Sequence, residues 1–212
     1  LQVVEKIMSR NRAEPEVELI ESRCLLKAKA VQVEEHEFRY RRKDGHWSDV
    51  MTRNTVSRGD ASAVILLEPA TGRLHFVRQF RFPAYDPNRP GTESGWLIEL
   101  VAGMVDPGET PEQCIIREVE EETGFVIEEP RLIGQFFLSP AASRERAFLF
   151  YAEVSAERRK PQEGTPGHYG TGDEDIETLS MSVAEFLQRV ERMEITDAKT
   201  LAGAEYLRRM RG

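Results

Sequence analysis

Apolar residues recur at Val17 and Leu19, then at Val31 and Val33, then at Phe38 and Tyr40. That spacing of two predicts strands across 17–40. Arg41-Arg42-Lys43-Asp44-Gly45 interrupts the alternation. Its Asp-Gly pair predicts a hairpin turn, with a further strand over about 47–56. From Ala63 to Leu67 the pattern becomes an unbroken apolar run, as in a strand covered on both faces. Pro69-Ala70-Thr71-Gly72 turns the chain back into a strand at 74–80. Residues 96–101 read as a single strand, followed by strands at 131–138 and 147–154 and a last short one at 179–181. The period then lengthens. Val183, Phe186, Leu187 and Val190 share one side of a helix that Ser182 caps and that runs to about Met193. Thr196-Asp197 opens a final helix carrying Leu201, Ala204, Tyr206, Leu207 and Met210. Strands and helices interleave without a regular βαβ series, which predicts an α+β protein with a mixed β-sheet sandwiched between helices. Arg58-Gly59-Asp60 marks a break. We therefore divide the chain into an N-terminal antiparallel β subdomain, 1–57, and a main domain, 58–212.

Composition narrows the partners. The 212 residues are 40% apolar, enough for a core, and carry a net charge of −8. An acidic chain is a poor match for a phosphate backbone, so no nucleic-acid partner is expected. No apolar run is long enough to span a bilayer, and the first residues lack the basic-then-apolar pattern of a signal peptide. Cys24 and Cys114 offer neither zinc spacing nor a disulfide framework. A cytoplasmic location without membrane contact is the expectation.

One stretch stands apart in charge. Between Gly103 and Phe125 the chain passes from a glycine-containing loop into a short acidic helix. Thr110 suits the N-cap, Pro111 the first helical position and Gly124 the left-handed C-cap. Glu118, Glu121 and Glu122 then share one helix face. Like charges at these spacings repel. Either the face is simply solvated, or a hard divalent cation such as Mg²⁺ or Mn²⁺ resolves the conflict. Glu120 points away from that face and is read as a solvent or salt-bridge residue. Cys114, beside Ile115, is read as a buried small hydrophobe.

The order of residues decides between the two. Gly103, Glu109 six positions on, then Arg117-Glu118-Val119-Glu120-Glu121-Glu122-Thr123-Gly124-Phe125 fill every fixed position of a known signature. The stretch resembles the Nudix hydrolase box, and the chain is identified as a member of that family. The resemblance sharpens the expected architecture to the Nudix fold. It also implies hydrolysis of a diphosphate linked to another moiety, with a metal neutralising charge as it develops. Glu118 and Glu122 become the first metal-ligand candidates, with Glu121 as a further ligand or catalytic group, and the carbonyl of Ala102 adds a contact. Arg117 and Glu109 are expected to brace the loop and helix as an ion pair.

Beyond the box, Arg58-Gly59, Gln79-Phe80-Arg81, 96–104, Ser139-Pro140 with Glu145, Glu174-Asp175-Ile176 and Asp197 with Lys199-Thr200 are similar to the ADP-ribose and nucleotide-sugar pyrophosphatase branch. In that branch a loop carboxylate serves as general base, which implicates Glu174, or Asp173 or Asp175 if the register shifts by one. Arg53, Arg58 and Arg81 become candidates for substrate contacts, since guanidinium offers bidentate donors to phosphate. Glu99, behind the substrate contacts, and Glu145, facing the substrate, are further substrate-side candidates, and Trp47 or Phe82 is read as core or interface packing in preference to a stacking surface for a base. The branch also implies a homodimer built through the N-terminal strands. ADP-ribose, cut to AMP and ribose 5-phosphate, is the first expected substrate, and GDP-mannose or another nucleotide sugar the second. A non-catalytic ligand-sensing module would be expected to show a broken box, and a prenyl diphosphate isomerase a well-placed cysteine with histidine ligands. Ser139-Pro140-Ala141-Ala142 departs from the Ser-Pro-Gly-Gly of many relatives, so a different loop path is expected there.

Overall fold

The computed structural model describes residues 16–29, 31–88, 94–160, 168–169 and 175–211. The break between its two compact units falls after Arg58. In the first unit, β1 (Val17–Ala28), β2 (Val31–Tyr40) and β3 (Met51–Ser57) form an antiparallel sheet in that order. The Asp-Gly turn forms, with Gly45 at φ +85°. The strand expected from about 47 starts later, at Met51, and Trp47 makes only an isolated bridge to Arg41. His36 is buried because it bridges two strands, its ring nitrogens 2.7 Å from Ser22 Oγ and 2.8 Å from Thr55 Oγ1.

The second unit holds a mixed sheet of β4 (Ala61–Glu68), β5 (Arg73–Phe80), β6 (Trp96–Glu99), β7 (Val101–Met104), β8 (Arg131–Phe137), β9 (Arg146–Glu153), β10 (His168–Tyr169) and β11 (Ile176–Ser182). Its main path runs β10-β11-β5-β4-β9-β8, with β4 and β9 parallel. Among the described residues, three α-helices complete the unit: α1 (Pro111–Thr123), α2 (Val183–Glu191) and α3 (Ala198–Arg211). The unbroken apolar run is the central strand β4. Val64 and Leu66 pack with Ile115 and Val119 of α1, while Ala63 and Ile65 pack with Phe186 of α2 and Ala204 and Leu207 of α3. The sheet is thus sandwiched between helices, the α+β Nudix arrangement that the sequence predicts.

The single strand expected over 96–101 is instead two. β4 and β5 pair only at Leu66–Glu68 with Arg73–His75. Beyond that point β6 pairs with β5 and β7 with β4, so the chain enters a fork between them. At the switch, the Leu100 N–H leaves the ladder and donates to Thr200 Oγ1 at 2.9 Å. A buried N–H between two strands needs such a partner. The helix expected to reach Met193 stops at Glu191, and Met193 takes φ +60°.

Candidate active site

The helix α1 is built as its sequence requires. Thr110 Oγ1 accepts from Gln113 N at 3.2 Å, and Gln113 Oε1 accepts from Thr110 N at 2.9 Å. This reciprocal cap contributes on the order of 1 kcal/mol. Gly124 closes the helix at φ +72°. Sequence inspection missed the anchor at the other end. Ser62, a fully buried polar residue within the apolar strand β4, donates from Oγ to the Pro111 carbonyl at 2.8 Å. A lone serine between Ala61 and the apolar run that starts at Ala63 was the available signal.

Anchored this way, α1 lays its carboxylates against β7. Burial is graded along the face: the Glu121 side chain is 38% exposed, that of Glu118 14%, and Glu122 as a whole 5%. Glu122 Oε2 lies 3.4 Å from the Ala102 N–H. Glu118 occupies the space above Gly103, where a Cβ built on the glycine would stand 1.8 Å from Glu118 Oε1. The glycine is therefore required by the carboxylate's approach and not by an unusual backbone angle.

Arg117 ties these groups together. Its Nε and Nη2 meet Glu109 at 3.0 and 3.1 Å, the ion pair expected from sequence. Its Nη1 donates to Glu118 Oε1 at 2.8 Å and to Glu121 Oε2 at 3.0 Å. The Arg117 hydrogen bonds hold the Glu109 carboxyl below the usual carboxylate range, and Glu109 raises Arg117 further above its ordinary value. Glu120 does point away, to Lys160. Cys114 is buried, and burial pushes its thiol up to about 12, so it stays neutral at pH 7.

Among the described residues, no three His, Cys, Asp or Glu side chains converge as a ready-made metal group. Glu118 and Glu121 instead share one guanidinium nitrogen. The donor set nevertheless fits a hard divalent cation. It consists of carboxylate oxygens on one helix face, those of Glu118 and Glu122 poorly exposed, with Glu118 in the space that Gly103 leaves.

A second cluster lies at the fork. Arg81 follows β5, and its Nε donates to Glu99 Oε2 at 2.8 Å. Glu99, at the end of β6, is 3% exposed. The structure thus brings together Ala102, Glu118, Glu121 and Glu122, and separately pairs Arg81 with Glu99. Glu145 is half-buried just before β9, its carbonyl accepting from Leu138 N at 3.2 Å. The preceding loop turns through Ala142 N and Ser143 N to the Ser139 carbonyl, and neither Ala141 nor Ala142 has positive φ. Two alanines therefore fit this path without strain. Arg53, on β3, donates to the Thr52 carbonyl at 2.8 Å, and Arg58 ends the first unit. Asp175 is exposed just before β11, while Asp173 and Glu174 lie outside the described residues. Phe82 is 74% exposed, and Trp47 lies under Arg39 and Arg41. A surface depression of about 390 Å³, bordered by Glu128, Arg131, Tyr151, Glu153 and Arg158, contains none of these residues. No helix among the described residues is long and apolar enough to cross a membrane.

Comparison with known proteins adds two findings. A family model described as NUDIX domain matches residues 57–203. Proteins named GDP-mannose pyrophosphatase, from Escherichia coli O1:K1 / APEC and from Shigella flexneri serotype 5b (strain 8401), are 35% identical over 155 residues, covering 73% of this chain and 76% of theirs.

Proposed function

Because this chain belongs to the Nudix family of hydrolases, we propose that it cuts the diphosphate of a nucleoside diphosphate sugar, with GDP-mannose ahead of ADP-ribose. The carboxylate face of α1 seated on Ala102–Gly103 supports the reaction. The relatives' name, carried over 73% of the chain, supports the substrate order. Water adds to one phosphorus, the bridging P–O bond breaks, and a carboxylate takes the water proton. GDP-mannose then yields GMP and mannose 1-phosphate.

Glu118 and Glu122, with the Ala102 carbonyl, hold the metal in this proposal, and Glu121 stands beside them as a further ligand or proton acceptor. Mg²⁺ or Mn²⁺ bound there supplies charge neutralisation of phosphate oxygens and acidifies water. Arg117 and Glu109 hold the Glu118 end of the face in place. Arg81 turns guanidinium donors to the diphosphate. Glu145 faces the substrate. The base is Glu174. Glu174→Gln is expected to lower kcat by about 10², and more than Asp173→Asn or Asp175→Asn does. A larger loss at either neighbour moves the role there.

The proposal is tested by incubating the chain with Mg²⁺ and GDP-mannose, ADP-ribose, UDP-glucose, NADH or diadenosine polyphosphates, then separating the products. GMP and mannose 1-phosphate, lost on chelation, are expected. Faster cleavage of ADP-ribose promotes the second substrate, and no turnover of any diphosphate overturns the proposal.

The protein acts as a cytoplasmic homodimer in this proposal. Among the described residues, strand β1 is one edge of its sheet and exposes Val17, Leu19 and Leu26 by more than half. An exposed apolar edge favours association. Sedimentation at micromolar concentration should return about twice the 24.2 kDa chain mass; a monomer would count against it.

A further inference from the structure

The Arg81–Glu99 pair does not end at Glu99. Lys199 Nζ lies 3.8 Å from Glu99 Oε1 and 2.7 Å from Asp197 Oδ1. Asp197 is itself fastened to the start of α3, where its Oδ2 accepts from Thr200 N at 2.9 Å and from Thr200 Oγ1 at 2.7 Å. Thr200 in turn accepts from Leu100 N, the residue after Glu99. Charges therefore alternate along one line: Asp197, Lys199, Glu99, Arg81. Three of these side chains are poorly exposed, at 9%, 14% and 4%. Arg81 is the outward end, 39% exposed, and among the described residues its two Nη groups have no hydrogen-bond or ion-pair partner.

We propose that Asp197 is a positioning residue for Arg81, acting through Lys199 and the buried carboxylate of Glu99. The inference rests on the proposed contact between Arg81 and the diphosphate. A carboxylate as buried as Glu99 requires cationic or hydrogen-bonding neighbours. Two cations compete for it, and geometry decides the shares. Asp197 holds Lys199 at short range, which leaves Lys199 beyond close contact with Glu99. Glu99 Oε2 is then available to grip Arg81 Nε. With Nε taken and the Arg81 backbone N–H held by the Gly95 carbonyl at 2.8 Å, the guanidinium presents both Nη groups in a set orientation. Burial alone would raise the Asp197 carboxyl, but Lys199 and the Thr200 hydrogen bonds outweigh it and keep Asp197 charged. Without that charge, Lys199 moves onto Glu99 and the grip on Arg81 loosens.

Asparagine caps helices as well as aspartate, so Asp197→Asn keeps an oxygen for the Thr200 contacts and removes the charge and the second oxygen that hold Lys199. The test compares Asp197→Asn, Arg81→Ala and the double variant, with GDP-mannose as substrate and thermal melts in parallel. Asp197→Asn is expected to raise KM about tenfold with kcat within about twofold. Arg81→Ala should raise KM further, and the double variant should match Arg81→Ala alone. Additive effects on KM, or a lowered melting temperature with unchanged KM, would overturn the Asp197 role and leave the reaction standing. An unchanged KM in Arg81→Ala would remove the diphosphate contact on which the inference rests.

Discussion

Glu122→Gln is expected to lower kcat by roughly two to three orders of magnitude while the chain stays folded. The two halves of that expectation have separate causes. Glutamine matches glutamate in shape, and its Oε1 can still accept from the Ala102 N–H that now lies 3.4 Å from Glu122 Oε2. Val119 and Ile115, which carry the packing of α1 on β4, are untouched. What is lost is one negative charge at the most buried of the three face carboxylates. Charge counts for most where water is scarce, so the same change at the more exposed Glu121 should cost less. Steady-state rates with Mg²⁺, taken beside circular dichroism melts, check both parts. Near-normal turnover in a folded variant would remove Glu122 from the metal set.

Gly103→Ala should cost about 10² in kcat with little change in stability. The added Cβ would lie 1.8 Å from Glu118 Oε1, 2.0 Å from Cδ and 2.5 Å from Cγ. Something must move. The backbone at Gly103 is paired opposite Ser62 in β4, and α1 is tied to the same Ser62 through Pro111. The cheapest motion is a swing of the Glu118 side chain itself. That spares the core and breaks the 2.8 Å contact with Arg117 Nη1, so the carboxylate leaves the place from which it would bind metal. Urea unfolding should give a midpoint close to wild type. Full activity would show that Glu118 works from another position, and a collapsed midpoint that the strand, not the side chain, yields.

These two expectations differ in origin. Glu122 could be singled out in the sequence, because helical spacing and the Nudix order of residues both point to it. The collision at Gly103 could not. Glycine there is part of the box, but its physical reason is a side chain fifteen positions later on another element. The same divide runs through the fold. The continuous apolar run at 63–67 revealed a strand covered on both faces, yet not that β4 pairs in parallel with β9. The stretch 96–101 reads as one strand because it is apolar at every position but Glu99. Its division at Leu100 follows from which neighbours the fork between β4 and β5 leaves unpaired.

By itself the sequence determined the local features of α1: its reciprocal cap at Thr110, its stop at Gly124 and its face of three carboxylates. Those depend on hydrogen bonds a few residues long and on a repeat of 3.6, so nearby residues suffice to specify them. Only the tertiary structure decided what that face meets. Gly103 lies under Glu118, Ala102 N–H beside Glu122, and Arg81 and Lys199 on either side of Glu99. Such contacts join residues that strand pairing and burial of the whole sheet bring together, and no local pattern encodes that sum.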